Sequence, residues 1–294
     1  MAFFLLSACS FSRLASNLTA TILKAGTPAF EEESDIDLAE QASLTMLKTV
    51  EAFERHNPNN KTYLLLLAKS YGTYAYGFLE NRMLQFQGKD EPKYNAVQDR
   101  AKLFYSRGKE YGLRLIARED KGFAAALNKG LPALRKELLK FKGKNIDAIF
   151  WTAFSWGNYI NLTKDNVRSV SDLAVVEALM ARVLEVSPNF YYGGPHLFYG
   201  VYYASRPPML GGNSEEARKH FELAMRATDG KFLLSQVLAA QFLAVQIQDK
   251  KLFLDLLRKT EESSLEILPE QRLANALAKE RGRYLKERDK EFFQ

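Results

Sequence analysis

The sequence predicts an all-α fold of stacked helical hairpins, and three observations carry the expectation. The stretch from Pro195 to Phe232 places Tyr199, Gly200 and Tyr203 on one helical face. After a break it places Ala217, Phe221 and Ala224 at i, i+4 and i+7, a small-large-small set that lets a second helix nest on the first. Weaker copies of this pattern recur along the chain, as Ala68/Tyr71, Ala101/Tyr105/Gly108 and Trp156/Gly157/Ile160. Turn signals such as Asn57-Pro58-Asn59-Asn60 and Ser187-Pro188-Asn189 separate the copies. The pattern is that of the ~34-residue tetratricopeptide repeat. The fold class is therefore a tetratricopeptide-like α-α superhelix with degenerate repeats and long insertions.

At 294 residues the chain exceeds the usual single domain, but a solenoid grows by stacking and needs no second core. Apolar residues at 47% are enough for a folded protein, and a net charge of +6 is too small for a nucleic-acid footprint. No nucleic-acid partner is expected.

The first ten residues, MAFFLLSACS, hold the single cysteine. Leu6-Ser7-Ala8-Cys9 resembles the lipobox of bacterial lipoproteins, which makes Cys9 a lipidation candidate; the alternative is an ordinary free thiol. No Lys or Arg precedes the apolar run, unlike the basic start of such leaders, and the run is far too short to span a bilayer. Residues 1–9 are assigned as leader remnant and lipobox, 10–34 as an N-terminal helix and acidic linker, and 35–294 as one helical domain.

Leu14, Leu18 and Ile22 form a helical stripe that Gly26-Thr27-Pro28 ends. The acidic run from Glu31 to Asp35 suits the start of a helix over 36–55; a metal site is the other reading of those carboxylates. Residues 61–86 form a long, largely buried helix, and an insertion with Gly88 and Pro92 leads to the helix of Ala101 and Tyr105. The segment 121–143 is basic, with Lys129, Arg135, Lys136, Lys140 and Lys142, then Lys144, meeting only Glu137. It reads as a solvated face or as a patch toward anionic lipid.

Residues 145–162 and 172–186 make the next pair, followed by the central hairpin, whose turn Arg206-Pro207-Pro208-Met209-Leu210-Gly211-Gly212 is long. Asn213 is placed to cap its second helix, with Glu216 completing a capping box. Residues 232–248 and 251–260 form another pair, and 269–293 a final helix whose charged end suits a solvent-facing cap.

No catalytic constellation is legible. His56, His196 and His220 lie on separate elements without metal-ligand spacing, and the glycine pairs are turn glycines, not a phosphate cradle. There is no GxSxG elbow. An enzyme, a metal site and a cofactor are all not expected.

Five ordered blocks carry a family resemblance: 100–116 (RAKLFYSRGKEYGLRLI), 149–162 (IFWTAFSWGNYINL), 193–225, 248–257 and 267–285. Over about residues 9 to 293 the chain resembles the TatT family, tetratricopeptide lipoproteins associated with TRAP (tripartite ATP-independent periplasmic) transporters. The resemblance implies a periplasmic protein, lipid-anchored to a bacterial membrane, that partners the transporter's substrate-binding protein. It also implies a homotrimer and a cleft or pore for a hydrophobic or amphipathic small molecule or lipid.

The alternative is a generic tetratricopeptide protein–protein scaffold on the membrane surface, and the concave face discriminates the two. Counting from Gly157, Gly200 and Ala240, the inward positions are Trp151, Phe154 and Asn158, then Leu197, Val201 and Ala204, then Leu234, Val237 and Gln241. A peptide clamp would carry Lys, Arg and Asn there; this mostly apolar set suits an apolar ligand better. Trp151, Phe154, Asn158, Leu197, Val201 and Val237 are the cleft candidates. Mutual packing of the same stripe remains the other reading.

Overall fold

The computed structural model describes residues 3–293, with side chains from Ser12 onward apart from Lys144. All regular structure among these residues is helical. Helix α1 (Phe3–Ala25) ends at Gly26, and the single-turn α2 (Pro28–Glu31) follows. Cys9 falls within α1, but its side chain is outside those described.

Caps stand where the sequence offers Asn or Asp. Asp35 accepts hydrogen bonds from the Asp37 and Leu38 amides and starts α3 (Ile36–His56), so the acidic run opens a helix. Asn60 does the same for α4 (Lys61–Tyr74), accepting from Thr62 and Tyr63. The chain continues through a π-helical segment, Ala75–Leu79, into α5 (Glu80–Phe86). The expected long helix is thus continuous but locally widened. Asp90 caps α6 (Glu91–Glu119).

The basic segment forms α7 (Phe123–Lys129) and α8 (Leu131–Leu138), and it is better neutralised than its own sequence suggests. Arg135 pairs with Glu177 at 3.1 Å, and Lys140 with Glu137 and with Asp120 at 3.5 Å. Lys144 lies outside the described side chains.

Helix α9 (Ile146–Asn161) sits in a trench between α4 and α6 that three glycines make possible. A Cβ on Gly108 would stand 2.5 Å from Ser155 Oγ, and one on Gly112 2.2 Å from Thr152 Oγ1 and 3.1 Å from the Thr152 Cα. Gly72 meets Ser155 in the same way, so two backbones approach where any side chain would hold them apart.

The short α10 (Val167–Ser171) leads to α11 (Leu173–Val186), which packs on α9. Helix α12 (Phe190–Ala204) begins with a kink in which Tyr191, Tyr192 and Gly193 all have positive φ. It pairs with α13 (Ser214–Arg226) as the small-large-small pattern requires: Ala217, Phe221 and Ala224 are all buried, and a Cβ on Gly200 would meet the Phe221 ring at 2.8 Å. Asn213 caps α13, but its own amide donates to Tyr203 O at 3.1 Å, so Glu216 does not complete the capping box.

Helix α14 (Leu234–Leu238) widens into a second π-helical segment, Ala239–Ala244, before α15 (Lys250–Glu262). The last helices are α16 (Arg272–Glu287) and α17 (Asp289–Phe292).

Helix α16 corrects one expectation. It is not simply a solvent-facing cap: it packs against α14 and α15 on one side and reaches α2, α3, α5 and the first π segment on the other. Leu277 seats on Gly77, where a Cβ would be 2.8 Å from its Cδ1. Asn275 accepts from Leu233 N at 2.9 Å and donates to Lys231 O at 3.0 Å. Arg281 is buried, and Arg288, in the charged end, is buried against Gln87 and Glu291. The end of the chain is thereby tied to its beginning, and the helices close around a central space.

Candidate functional site

That space is a cavity of about 720 Å³, within the ~300–1,000 Å³ range of small-molecule pockets. Its wall comes from α4 with the first π segment, from α9 and α12, from α14 with the second π segment, and from α16; Phe30 of α2 and Met46 and Val50 of α3 also line it. Both π segments contribute, Tyr76 and Gly77 from one and Phe242 from the other. Such widened turns recur at functional sites because they break the regular spacing of a helix face.

Five of the six cleft candidates line this cavity: Trp151, Phe154 and Asn158 on α9, and Leu197 and Val201 on α12. Val237 does not. It is 0% exposed and packs with Leu233, Ala240, Phe253 and Leu257 on the far side of α14. Ala240, used to set the register, belongs to that same buried cluster, so the inferred face was rotated. Of the inward positions read there, Leu234 does line the cavity, and Leu238 and Phe242 follow it at four-residue steps. Ala204 and Gln241 do not line it either.

Trp151 both packs and lines. It is 3% exposed and meets the rings of Phe150 at 4.9 Å, Phe154 at 5.6 Å and Tyr191 at 4.7 Å, all near edge-to-face. The Lys69 ammonium lies 5.4 Å over the Trp151 ring and 5.1 Å over Tyr191. Tyr191 reaches this place through its left-handed backbone (φ 43°), which a bulky residue adopts only under strain. No periodic pattern signals that turn; Gly193-Gly194 is its only trace in the sequence.

Polar groups are few and sorted along the wall. Near α2, Lys69 pairs with Glu31, which also accepts from Gln271 Nε2 at 3.2 Å. On α16, Arg281 holds Asn81 Oδ1 at 2.9 Å, Tyr76 O at 2.8 Å and Glu80 at 3.2 Å. Burial pushes the Glu80 carboxyl above its ordinary range, against the pull of Arg281 and of the Tyr105 hydroxyl. Lys164 and Arg206 stand at a third place on the lining, beside Val170, Pro207 and Leu210. Asn158 donates to Phe154 O at 2.9 Å.

Away from the cavity, the fold joins two histidines that are 24 positions apart. His196 and His220 meet at 2.9 Å through their Nδ1 atoms, and His220 stacks on Tyr199 and Tyr203. One Nδ1 donates and the other accepts, so the accepting ring is neutral. Burial and then the neighbouring His196 push His220 down to about 4, and burial lowers His196. Among the described residues no group of three or more His, Cys, Asp or Glu is arranged to hold a metal. The cavity offers enclosure and apolar contact.

No described helix is long and apolar enough to cross a membrane. Compared with known proteins, the chain is 25% identical over 269 residues to an uncharacterized protein of Treponema pallidum (strain Nichols), covering 91% of this chain and 83% of the other. Residues 32–293 match the family described as TRAP transporter T-component. That match spans almost the whole closed ring of helices, and the chain belongs to the TRAP transporter T-component family.

Proposed function

We propose that this protein is an extracytoplasmic accessory component of a TRAP-type transporter that associates with the substrate-binding protein and holds a hydrophobic or amphipathic ligand in its central cavity. The observation that carries the reading is the partly enclosed space of about 720 Å³, walled by Trp151, Phe154, Leu197 and Val201, in a member of a transporter family. Each methylene moved from water into such a space gains about 0.8 kcal/mol, so a long apolar tail is held without specific polar contacts. A peptide-binding scaffold would instead present cations and amides on an open groove; here the groove is closed by α16.

Two further parts of the reading follow from the resemblance in the sequence. Cys9 carries the lipid anchor, with more than one acyl chain because one holds only marginally, and the assembly is a homotrimer. Cys9→Ala expressed from its native start should leave the membrane fraction. Sedimentation of the soluble portion at micromolar concentration should give a trimer, and a strict monomer would remove that element.

The central test is co-purification with the transporter's substrate-binding protein, followed by native mass spectrometry of the complex. Association together with a bound small molecule is the expected result. No association, and no binding of the neutral probe N-phenyl-1-naphthylamine to the isolated chain, would overturn the proposal.

A further inference from the structure

The cavity reaches the surface at a rim built from two connecting segments. One is residues 163–172, which contain α10; the other joins α12 to α13. Val170 and Leu210 line the cavity yet are 42% and 65% exposed, which marks an opening and not a packed wall.

Four cations line the cavity, and they differ in their partners. Lys69 is paired with Glu31 and Arg281 with Glu80. Lys164 and Arg206, both at the rim, have no carboxylate within ion-pair distance among the described residues. Arg206 is held in place by the Tyr202 ring, 3.3 Å from its guanidinium carbon. Lys164 is exposed at the surface, and partial loss of water around its ammonium, then the Arg206 charge, push its pKa below that of a free lysine. Two positive charges without carboxylate partners thus stand on the lining at the mouth of an apolar chamber. An anion between them removes their repulsion and gains charge-assisted hydrogen bonds from both.

We propose that this rim is the head-group site for an amphipathic monoanion, a long-chain carboxylate whose tail runs inward past Leu210 toward Phe154 and Leu277. The proposal rests on the ligand-holding reading above and deepens it. One carboxylate can accept from a guanidinium and an ammonium together, and its charge relieves the repulsion between them. A neutral lipid with the same tail would fill the chamber but leave both cations unpaired. The exposed Val170 and Leu210 give the tail its first apolar contact on the way in.

The experiment uses the delipidated full chain loaded with N-phenyl-1-naphthylamine, displaced by palmitate or by hexadecanol. Wild type, Lys164→Gln, Arg206→Gln, the double variant and Lys69→Gln are compared, with circular dichroism as the check on folding. Palmitate should displace the probe at about tenfold lower concentration than hexadecanol, the size of one charge-assisted contact. The double variant should lose that preference, so that palmitate and hexadecanol displace the probe at the same concentration. Equal displacement by the two ligands in wild type would overturn the head-group site while leaving the cavity reading intact. Failure of the probe to bind would overturn both. A preference that survives in the double variant but disappears in Lys69→Gln would place the anion at the other end of the chamber and overturn the assignment.

Discussion

Replacing Arg281 by Met tests how the ring is closed. The guanidinium is 2% exposed, stacks 4.4 Å over Tyr76, and is the only cation of α16 paired with Glu80, at 3.2 Å, among the described residues. Methionine keeps much of the apolar volume but leaves Glu80 buried with only the Tyr105 hydroxyl, at 2.5 Å, as a partner. Leaving one member of a buried pair uncompensated costs about 3–5 kcal/mol. The sign with pH follows from the carboxyl. Its folded-state pKa is already raised, so the folded protein holds that proton more tightly than the unfolded chain. Stability is therefore lost as pH rises from the unfolded value, about 4.3, through the folded one. Without Arg281 the folded value moves further up, so the deficit should be smaller at pH 5 than at pH 8. Urea denaturation at both pH values gives the numbers, and Glu80→Gln in the Arg281→Met background should recover most of the loss by removing the charge. A deficit under about 1 kcal/mol, or one that neither pH nor Glu80→Gln changes, would refute the argument that this ion pair locks α16 onto the start of the chain.

Gly200→Ala should cost about 1–3 kcal/mol in a denaturant titration, because its Cβ would press 2.8 Å from the Phe221 ring and that ring is fully enclosed. Phe221→Ala, which leaves a cavity, should cost about 3–5 kcal/mol. The His196–His220 pair makes stability fall with acid: the folded pKa of His220, about 4, lies below the unfolded value, so stability present above ~6.5 is lost at up to about 1.4 kcal/mol per pH unit down to that pKa. Thermal melts of wild type and His220→Phe at pH 7 and pH 5 check this, the variant losing the steeper part of the dependence. Trp151→Ala should weaken both the fold, by about 3–5 kcal/mol, and probe binding, since the ring packs on three aromatics and also lines the cavity. Unchanged probe affinity in the destabilised variant would make Trp151 a packing residue alone.

What the sequence determined by itself is local. The helix starts after the run from Glu31 to Asp35 and at Asn213 are legible because a cap needs only one side chain and the amides two or three residues on, and Asn60, Asp90 and Asp249 cap in the structure by the same means. The fit of Gly200 to Phe221 is legible because two adjacent helices must share one spacing. The face of α9 bearing Trp151, Phe154 and Asn158 also follows from its period. The face of α14 follows only in part: Leu234 reads as inward and lines the cavity, but Val237 and Gln241 read as inward where Leu238 and Phe242 stand. The return of α16 onto Gly77 and Glu80, about 200 positions away, leaves no periodic mark either. Its polar residues read as solvated because Arg281 and Asn275 gain partners only when distant segments meet. The same holds for the pairing of two isolated histidines and for two cations on one cavity lining. Periodicity reports which side of a helix is buried, whereas what it is buried against depends on contacts between segments far apart in the chain, and those exist only once the ring has closed.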